Sequence, residues 1–548
     1  MYMTINNKRR QFLQHSALGL ASAAFPGLLL AKTGQFKSQA TRGFNPDIEI
    51  SMTARTSYVP ILKNGPKTQV QKYDAKLIKG PKNTLQHLTD NYLGPILNYE
   101  QGQKVRIYFY NKLNEPSIVH WHGLHVPQKS DGHPMYTIQP GEKFVYEFEV
   151  MNRAGTSFYH SHSHNLTAEQ VYQGLAGLIT VTDEQEKKLD LLTGEYDLPL
   201  VIQDRHFNNR NQLQYVHGMH GKMQGFLGDT ILVNGKPNTE FSVKSRAYRF
   251  RALNGSNSRI YKLAWDDGTP LTAIGTDGGL LEKPETRPYI MLAPGERVDL
   301  WLDFSGRSVG SKLVMYSLPY SGAMPPMYDK MHNAKRGMRG MNKGMMGGMG
   351  MMNSLAQGAK FPIATFKVTE KVSDSPKLPK RLVAFNRLTN ADVDNANKPL
   401  PIAISMKPMA PQLNGKSFAM DRVMDFEKVP VGSVKKIKIF HDHGMKQGSM
   451  KGKGMGMMGG MLSMAHPIHL HGQQYQIVSR KMTGKHKDTY ATVKDGFIDS
   501  GWKDTVLVMP GEEIEIIKPF EDFKGLFLYH CHNLEHEDLG MMRQFYVY

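Results

Sequence analysis

A chain of 548 residues with a single cysteine cannot close a disulfide within itself, so Cys531 is a chemical group rather than a cross-link. Acidic runs are missing too, and nothing offsets a formal net charge of +19. The positive residues are scattered, with no helix-turn-helix, zinc-finger or RNA-binding signature among them, which argues against a nucleic-acid partner. A basic surface of this kind suits a soluble protein among anionic lipids and polymers. No apolar run is long enough for a comfortable transmembrane span; the best, 17–31, is mildly apolar and short. Long helical periodicity is scarce, which leaves a β-rich reading.

The short apolar run has a basic flank, Lys8-Arg9-Arg10-Gln11-Phe12-Leu13-Gln14. Basic, then apolar, then polar is the order of an export signal, and an Arg pair followed by Phe-Leu resembles a twin-arginine signal. Residues 1–35 are therefore set aside from the fold, and a periplasmic location is expected.

A weak repeat divides the remainder. Pro140-Gly141-Glu142, Pro294-Gly295-Glu296 and Pro510-Gly511-Glu512 each feed a stretch of alternating apolar residues: Phe144, Tyr146, Phe148, Val150; then Val298, Leu300, Leu302, Phe304; then Ile514, Ile516. Each reads as a turn entering a strand with one buried face, with Asp299 and Asp303 on the polar side of the second. Val105-Ile107-Phe109 and Tyr248-Phe250-Ala252 alternate likewise, and Asn234-Gly235 and Asn414-Gly415 supply hairpin turns. The expected fold is all-β, with three Greek-key β-sandwich domains at 45–190, 191–375 and 376–548. The repeat is uneven, 154 positions and then 216, and two Met/Gly-rich inserts, 321–358 and 441–465, account for the excess. Of the 34 methionines, seven fall within 338–352 and seven within 445–464, interspersed with Gly, Lys and Arg, a composition that reads as mobile loops.

Ten of the 22 histidines fall in four clusters: His120-Trp121-His122, His160-Ser161-His162, His466-Pro467-Ile468-His469-Leu470-His471, and His530-Cys531-His532 with His536 and Met541 behind it. Two clusters lie in the first domain and two in the third, so those domains are expected to pack together around metal. In a strand, residues i and i+2 share a face about 6–7 Å apart. An H-x-H pair therefore serves two neighbouring ions better than one, and four pairs suit a cluster of three coppers. Cys531 must face the opposite side from His530 and His532, toward a separate copper. Two imidazoles, a thiolate and a weak axial thioether define a blue-copper electron-transfer site, which His466, Cys531, His536 and Met541 can supply.

These motifs resemble the multicopper oxidase family (laccases, ascorbate oxidases, bacterial cuprous oxidases) over nearly all the mature chain. Phe226-Leu227-Gly228-Asp229-Thr230, Gly501-Trp502-Lys503-Asp504-Thr505 and His536-Glu537-Asp538 are most similar to periplasmic copper-efflux oxidases of the CueO type. The resemblance implies cupredoxin domains and four copper ions. His466, Cys531 and His536 would bind the type 1 ion, with Met541 axial, and His120 and His469 the type 2 ion. His122, His160 and His532 would hold one type 3 ion, and His162, His471 and His530 the other. Asp131 and Glu537 match the family's two proton-delivering acids, a task that calls for pKa-tuned carboxyls. His125, His133 and His164 fall outside the pattern, and His441 and His443 read as solvated loop residues.

The implied reaction is one-electron oxidation of a donor coupled to reduction of dioxygen to water, by a monomer. CueO-type relatives oxidise Cu(I) at a methionine-rich site, for which Met464 and Met406 are candidates here. The aspartates of that site have no counterpart: Leu462 takes one position, and Ala410-Pro411-Gln412 follows Met409. Thioethers select Cu(I) over hard ions, although Arg339, Lys343, Lys446, Lys451 and Lys453 add opposing charge. Two alternatives are a laccase-like enzyme for small aromatic reductants and a Met-rich protein that sequesters copper without turnover.

Overall fold

The computed structural model describes residues 38–215, 218–325, 355–407, 410–442, 463–483 and 486–548. Residues 1–37, where an export signal is expected, and most of both Met-rich inserts lie outside them. Six sheets account for the named strands, and they form three pairs along the chain: four and five strands, seven and five, then six and five. Each pair is a β-sandwich around its own apolar core. Among the described residues no helix is long and apolar enough to cross a membrane.

The three sandwiches repeat one topology. In each, an early strand pairs in parallel with a later one: Ile48–Val59 with Lys104–Lys112, Asp197–Arg205 with Ala247–Asn254, and Leu400–Lys407 with Ser433–His441. The second partner then pairs antiparallel with the strand that follows a Pro-Gly-Glu turn: Lys143–Glu149, Arg297–Asp303 and Glu512–Phe520. The sequence repeat thus marks one structural position, reached in each case through a glycine at positive φ (84°, 82° and 80°). Asn234-Gly235 links Thr230–Val233 to Lys236–Pro237 with both residues at positive φ, the requirement of a tight hairpin turn.

Alternation correctly gives the apolar face of these strands, but not what covers the other face. Asp299 was expected on a polar side; it is buried, accepting from Thr156 Oγ1 at 2.6 Å and Arg249 Nη2 at 2.6 Å. The first sandwich covers that side of the middle one, and charge pairing replaces water there.

Candidate metal centre

Two strand ends and one tight loop form the first group. Cys531 closes the strand Gly525–Cys531 and is wholly buried. Its Sγ lies 3.4 Å from His466 Nδ1 and 3.8 Å from His536 Nδ1. His466 opens the neighbouring strand His466–Leu470, whose Ile468 pairs with Cys531. His536 is returned to the sulfur by the short helix Leu534–Asp538, whose start is capped by Asn533. The Asn533 N–H points at Sγ (3.4 Å), and Cys531 N–H donates to Met541 O (3.0 Å), which places buried Met541 beside the sulfur's strand. His536 Nε2 faces the Met223 carbonyl at 3.0 Å; donation there leaves the Nδ1 lone pair for the Sγ side. Burial pushes the Cys531 thiol up from its ordinary value, a bias that a bound metal ion reverses by holding the thiolate.

On the other face of the same strand, the eight paired histidines converge. Three sets of three have ligand nitrogens within 4.8 Å of one another: His120, His122, His469; His122, His160, His532; and His162, His471, His530. His120 and His122 come from the first sandwich and His469 from the third, with His120 Nε2 3.4 Å from His469 Nε2. His162 Nε2 and His471 Nε2 lie 3.3 and 3.1 Å from His530 Nε2.

The outer nitrogens are oriented by oxygen. His120 Nδ1 meets Asp131 O (2.6 Å), His469 Nδ1 meets Asp504 O (2.9 Å), and His160 Nδ1 meets Ser161 O (2.8 Å). Each contact fixes the tautomer that aims Nε2 inward. His122 is reversed: Nε2 meets Asp504 Oδ1 (3.0 Å), and Nδ1 faces His160 Nε2 (3.4 Å). Burial, then repulsion from neighbouring imidazoles, holds His120, His471 and His532 well below the ordinary histidine range, so they stand neutral with lone pairs to offer.

Besides Asp504, two carboxyls touch this cluster. Asp131 Oδ2 is 2.7 Å from His471 Nδ1, and burial raises its pKa well above the usual range. Glu537 Oε2 is 3.1 Å from His530 Nδ1 and Oε1 is 3.6 Å from His162 Nε2. Burial would raise Glu537, but His530 and His162 hold it below the carboxylate range. Two of the histidines left outside the pattern have other partners: His125 meets Asp522 (2.9 Å) and His133 meets Gln544 (2.9 Å), while the ring of His164 packs on Phe418.

Two residues before His466 in sequence, buried Met464 packs with buried Met324 and partly buried Met406 and Leu227. His441 Nε2 meets Met464 O at 3.0 Å, and its ring lies 5.7 Å from that of His466. Met409, His443 and Leu462 lie outside the described residues. Sequence reasoning singled out Met406 and Met464 but missed Met324, which opens an insert and carries no local pattern. It also missed Asp504 as a partner of the cluster, although Asp504 lies in a motif that carried the resemblance.

Both ring nitrogens of buried His532, whose ring lies against those of His122 and His160, have no hydrogen-bond partner. Orphaned nitrogens at the centre of neutral imidazoles are what a coordinating ion would satisfy, and the thiolate-imidazole set suits copper. Fold and site together define a copper-dependent oxidoreductase built from cupredoxin-like β-sandwiches.

Known proteins narrow that class. Residues 69–186 and 450–548 match two multicopper oxidase family models. The chain is 30% identical to the multicopper oxidase mco of Staphylococcus haemolyticus, over 85% of this chain and 84% of that one. It is also 30% identical to a laccase of Bacillus subtilis, over 78% and 79%. The structure of the McoA multicopper oxidase of Aquifex aeolicus superposes with a TM-score of 0.71 at 31% identity, covering 92% of this chain and 97% of that one. The chain belongs to the multicopper oxidases, copper enzymes that couple oxidation of a reducing substrate to dioxygen.

Proposed function

We propose that this enzyme oxidises Cu(I) to Cu(II) and passes the electrons to dioxygen, serving copper tolerance in the periplasm after export by the twin-arginine route. In this reading the three sandwiches are domains 45–190, 191–375 and 376–548 of a monomer with four coppers. His466, Cys531 and His536 hold type 1, with Met541 axial; His120 and His469 hold type 2. His122, His160 and His532 hold one type 3 ion, and His162, His471 and His530 the other. When bound, copper supplies the one-electron steps and the reduction of dioxygen.

The chain's own residues do the rest. The neutral imidazoles bind and orient, and the buried walls exclude water. Asp131, kept protonated by burial, holds a proton beside His471, while Glu537, held ionised, can accept one beside His530. Cys531 and its flanking peptides join the two faces of one strand.

The observation that carries the Cu(I) reading is the packing of Met324, Met406 and Met464 together, with Met464 two residues before His466 and its carbonyl on His441, whose ring lies 5.7 Å from that of His466. Soft sulfur is a donor set for a cuprous ion and of little use to a phenol. Contact between His536 Nε2 and the Met223 carbonyl, on the helix Met219–Gln224, also covers the imidazole edge that a bulky aromatic would use. Oxidation of small aromatic reductants is the second reading, favoured by the likeness to laccases.

Oxygen uptake by copper-loaded protein, with Cu(I) or a phenol as sole donor, separates the two. Met324→Ala combined with Met406→Ala should lower Cu(I) turnover about tenfold, roughly 1.4 kcal/mol, and leave phenol turnover near its starting value. Equal effects on both donors would remove the basis for Cu(I) as substrate. Copper binding with no oxygen uptake would instead indicate sequestration.

A further inference from the structure

The middle sandwich holds none of the clustered histidines, yet its Pro-Gly-Glu turn lies against them. A Cβ on Gly295 would sit 3.0 Å from three ring atoms of His532. Two residues on, Arg297 is completely enclosed and has all five donors engaged. Its Nε donates to Thr156 O (3.0 Å), Nη1 to Gly295 O (2.9 Å) and Asp504 Oδ1 (2.7 Å), and Nη2 to Asp277 O (3.0 Å) and Asp504 Oδ2 (2.6 Å). One guanidinium thus joins residues from all three sandwiches, with its two-pronged grip on Asp504.

Asp504 is the residue that touches the cluster. Its Oδ1 accepts from His122 Nε2 (3.0 Å) and from Thr505 Oγ1 (2.9 Å), and its backbone carbonyl faces His469 Nδ1 (2.9 Å). The carboxylate therefore sets which His122 nitrogen faces inward, and the carbonyl does the same for His469. The chain also makes room for the grip: Gly123, directly after His122, has φ +92°, and a Cβ there would collide with Arg297 and Asp504.

We propose that Arg297 is a positioning residue for the histidine cluster, acting through Asp504 on His122 and His469. The middle sandwich thereby contributes to copper binding without supplying a ligand. Outer contacts of this kind change metal affinity by roughly 10–100-fold. The inference rests on the ligand assignment proposed above.

Arg297→Met in the copper-loaded enzyme tests it, measured by chelator competition and by the type 2 electron paramagnetic resonance signal. Expected are an altered type 2 signal and a cluster affinity lowered roughly 10–100-fold, with the intense type 1 visible band unchanged. Arg249→Met provides the contrast. Arg249 joins Glu186 of the first sandwich to Asp299 and touches no cluster residue, so its loss should lower the melting temperature and leave the type 2 signal as it was. An Arg297→Met enzyme that behaves like Arg249→Met would overturn the proposal. If Arg297→Met does not fold, Arg297→Lys keeps the charge but breaks the two-pronged grip. A shifted type 2 signal then supports the role, and an unshifted one with unchanged affinity refutes it. Absence of any type 2 signal in the parent enzyme would refute the ligand assignment instead, which keeps the two failures apart.

Discussion

Cys531 has His466 Nδ1 and His536 Nδ1 within 3.8 Å of its sulfur, while His530 and His532 on either side reach the other face. Replacing it by serine, which offers a hard and weakly acidic oxygen, should abolish the intense thiolate-to-copper absorption and steady-state turnover while the type 2 signal persists; visible and paramagnetic resonance spectra check this. Asp131 tests a different property. Its carboxyl is raised by burial and lies 2.7 Å from His471 Nδ1, so Asp131→Asn keeps the shape and removes the exchangeable acid. Oxygen uptake should fall about 10²-fold with the visible band intact. The clustered residues were readable because a two-residue spacing on a strand fixes a shared face. Arg297, Asp504 and Met324 were not, because their roles depend on contacts across many residues of chain. Arg297 sits 207 positions from the carboxylate it grips.

Elements show the same division. Each Pro-Gly-Glu strand was recognisable from a turn and an alternating face, but the burial of Asp299 was invisible because the partner sandwich is far away in sequence. The short helix Leu534–Asp538 is a second case, since five residues give no periodicity to read. It is anchored by Glu535, wholly buried, which accepts from Tyr215 Oη (2.7 Å), Asn257 Nδ2 (2.7 Å), Ser258 Oγ (2.5 Å) and Phe226 N (3.0 Å). These donors belong to the middle sandwich, so Glu535 ties it to the loop that carries His536. Glu535→Ala leaves several donors unsatisfied in a dry site and should cost about 3 kcal/mol. Thermal unfolding followed at the visible band should show an earlier transition than the parent. An unchanged midpoint would mean that the loop holds its shape without this anchor.

Among the described residues of the whole molecule, twelve histidines are held below their ordinary pKa, chiefly by burial, with His160 and His536 at about 4. The unfolded chain takes up protons on these groups near pH 6.5, whereas the folded apo-protein does so only at lower pH. Below about pH 6.5 the unfolded state therefore binds more protons, and each such group lowers stability as the pH falls toward its folded value. Asp131, Asp538 and Glu296, all raised chiefly by burial, act in the opposite direction, but they are three against twelve. The melting temperature of the apo-protein should thus fall steadily from about pH 6.5 to 4. Copper binds the same neutral imidazoles that protons compete for, so the extra stability of the loaded protein should be greatest near neutrality and shrink with acid. Calorimetry of both forms across this range decides the matter. A flat apo-protein profile between pH 7 and 5 would mean that the clustered imidazoles take up protons without unfolding, and that the site is open to water before copper enters.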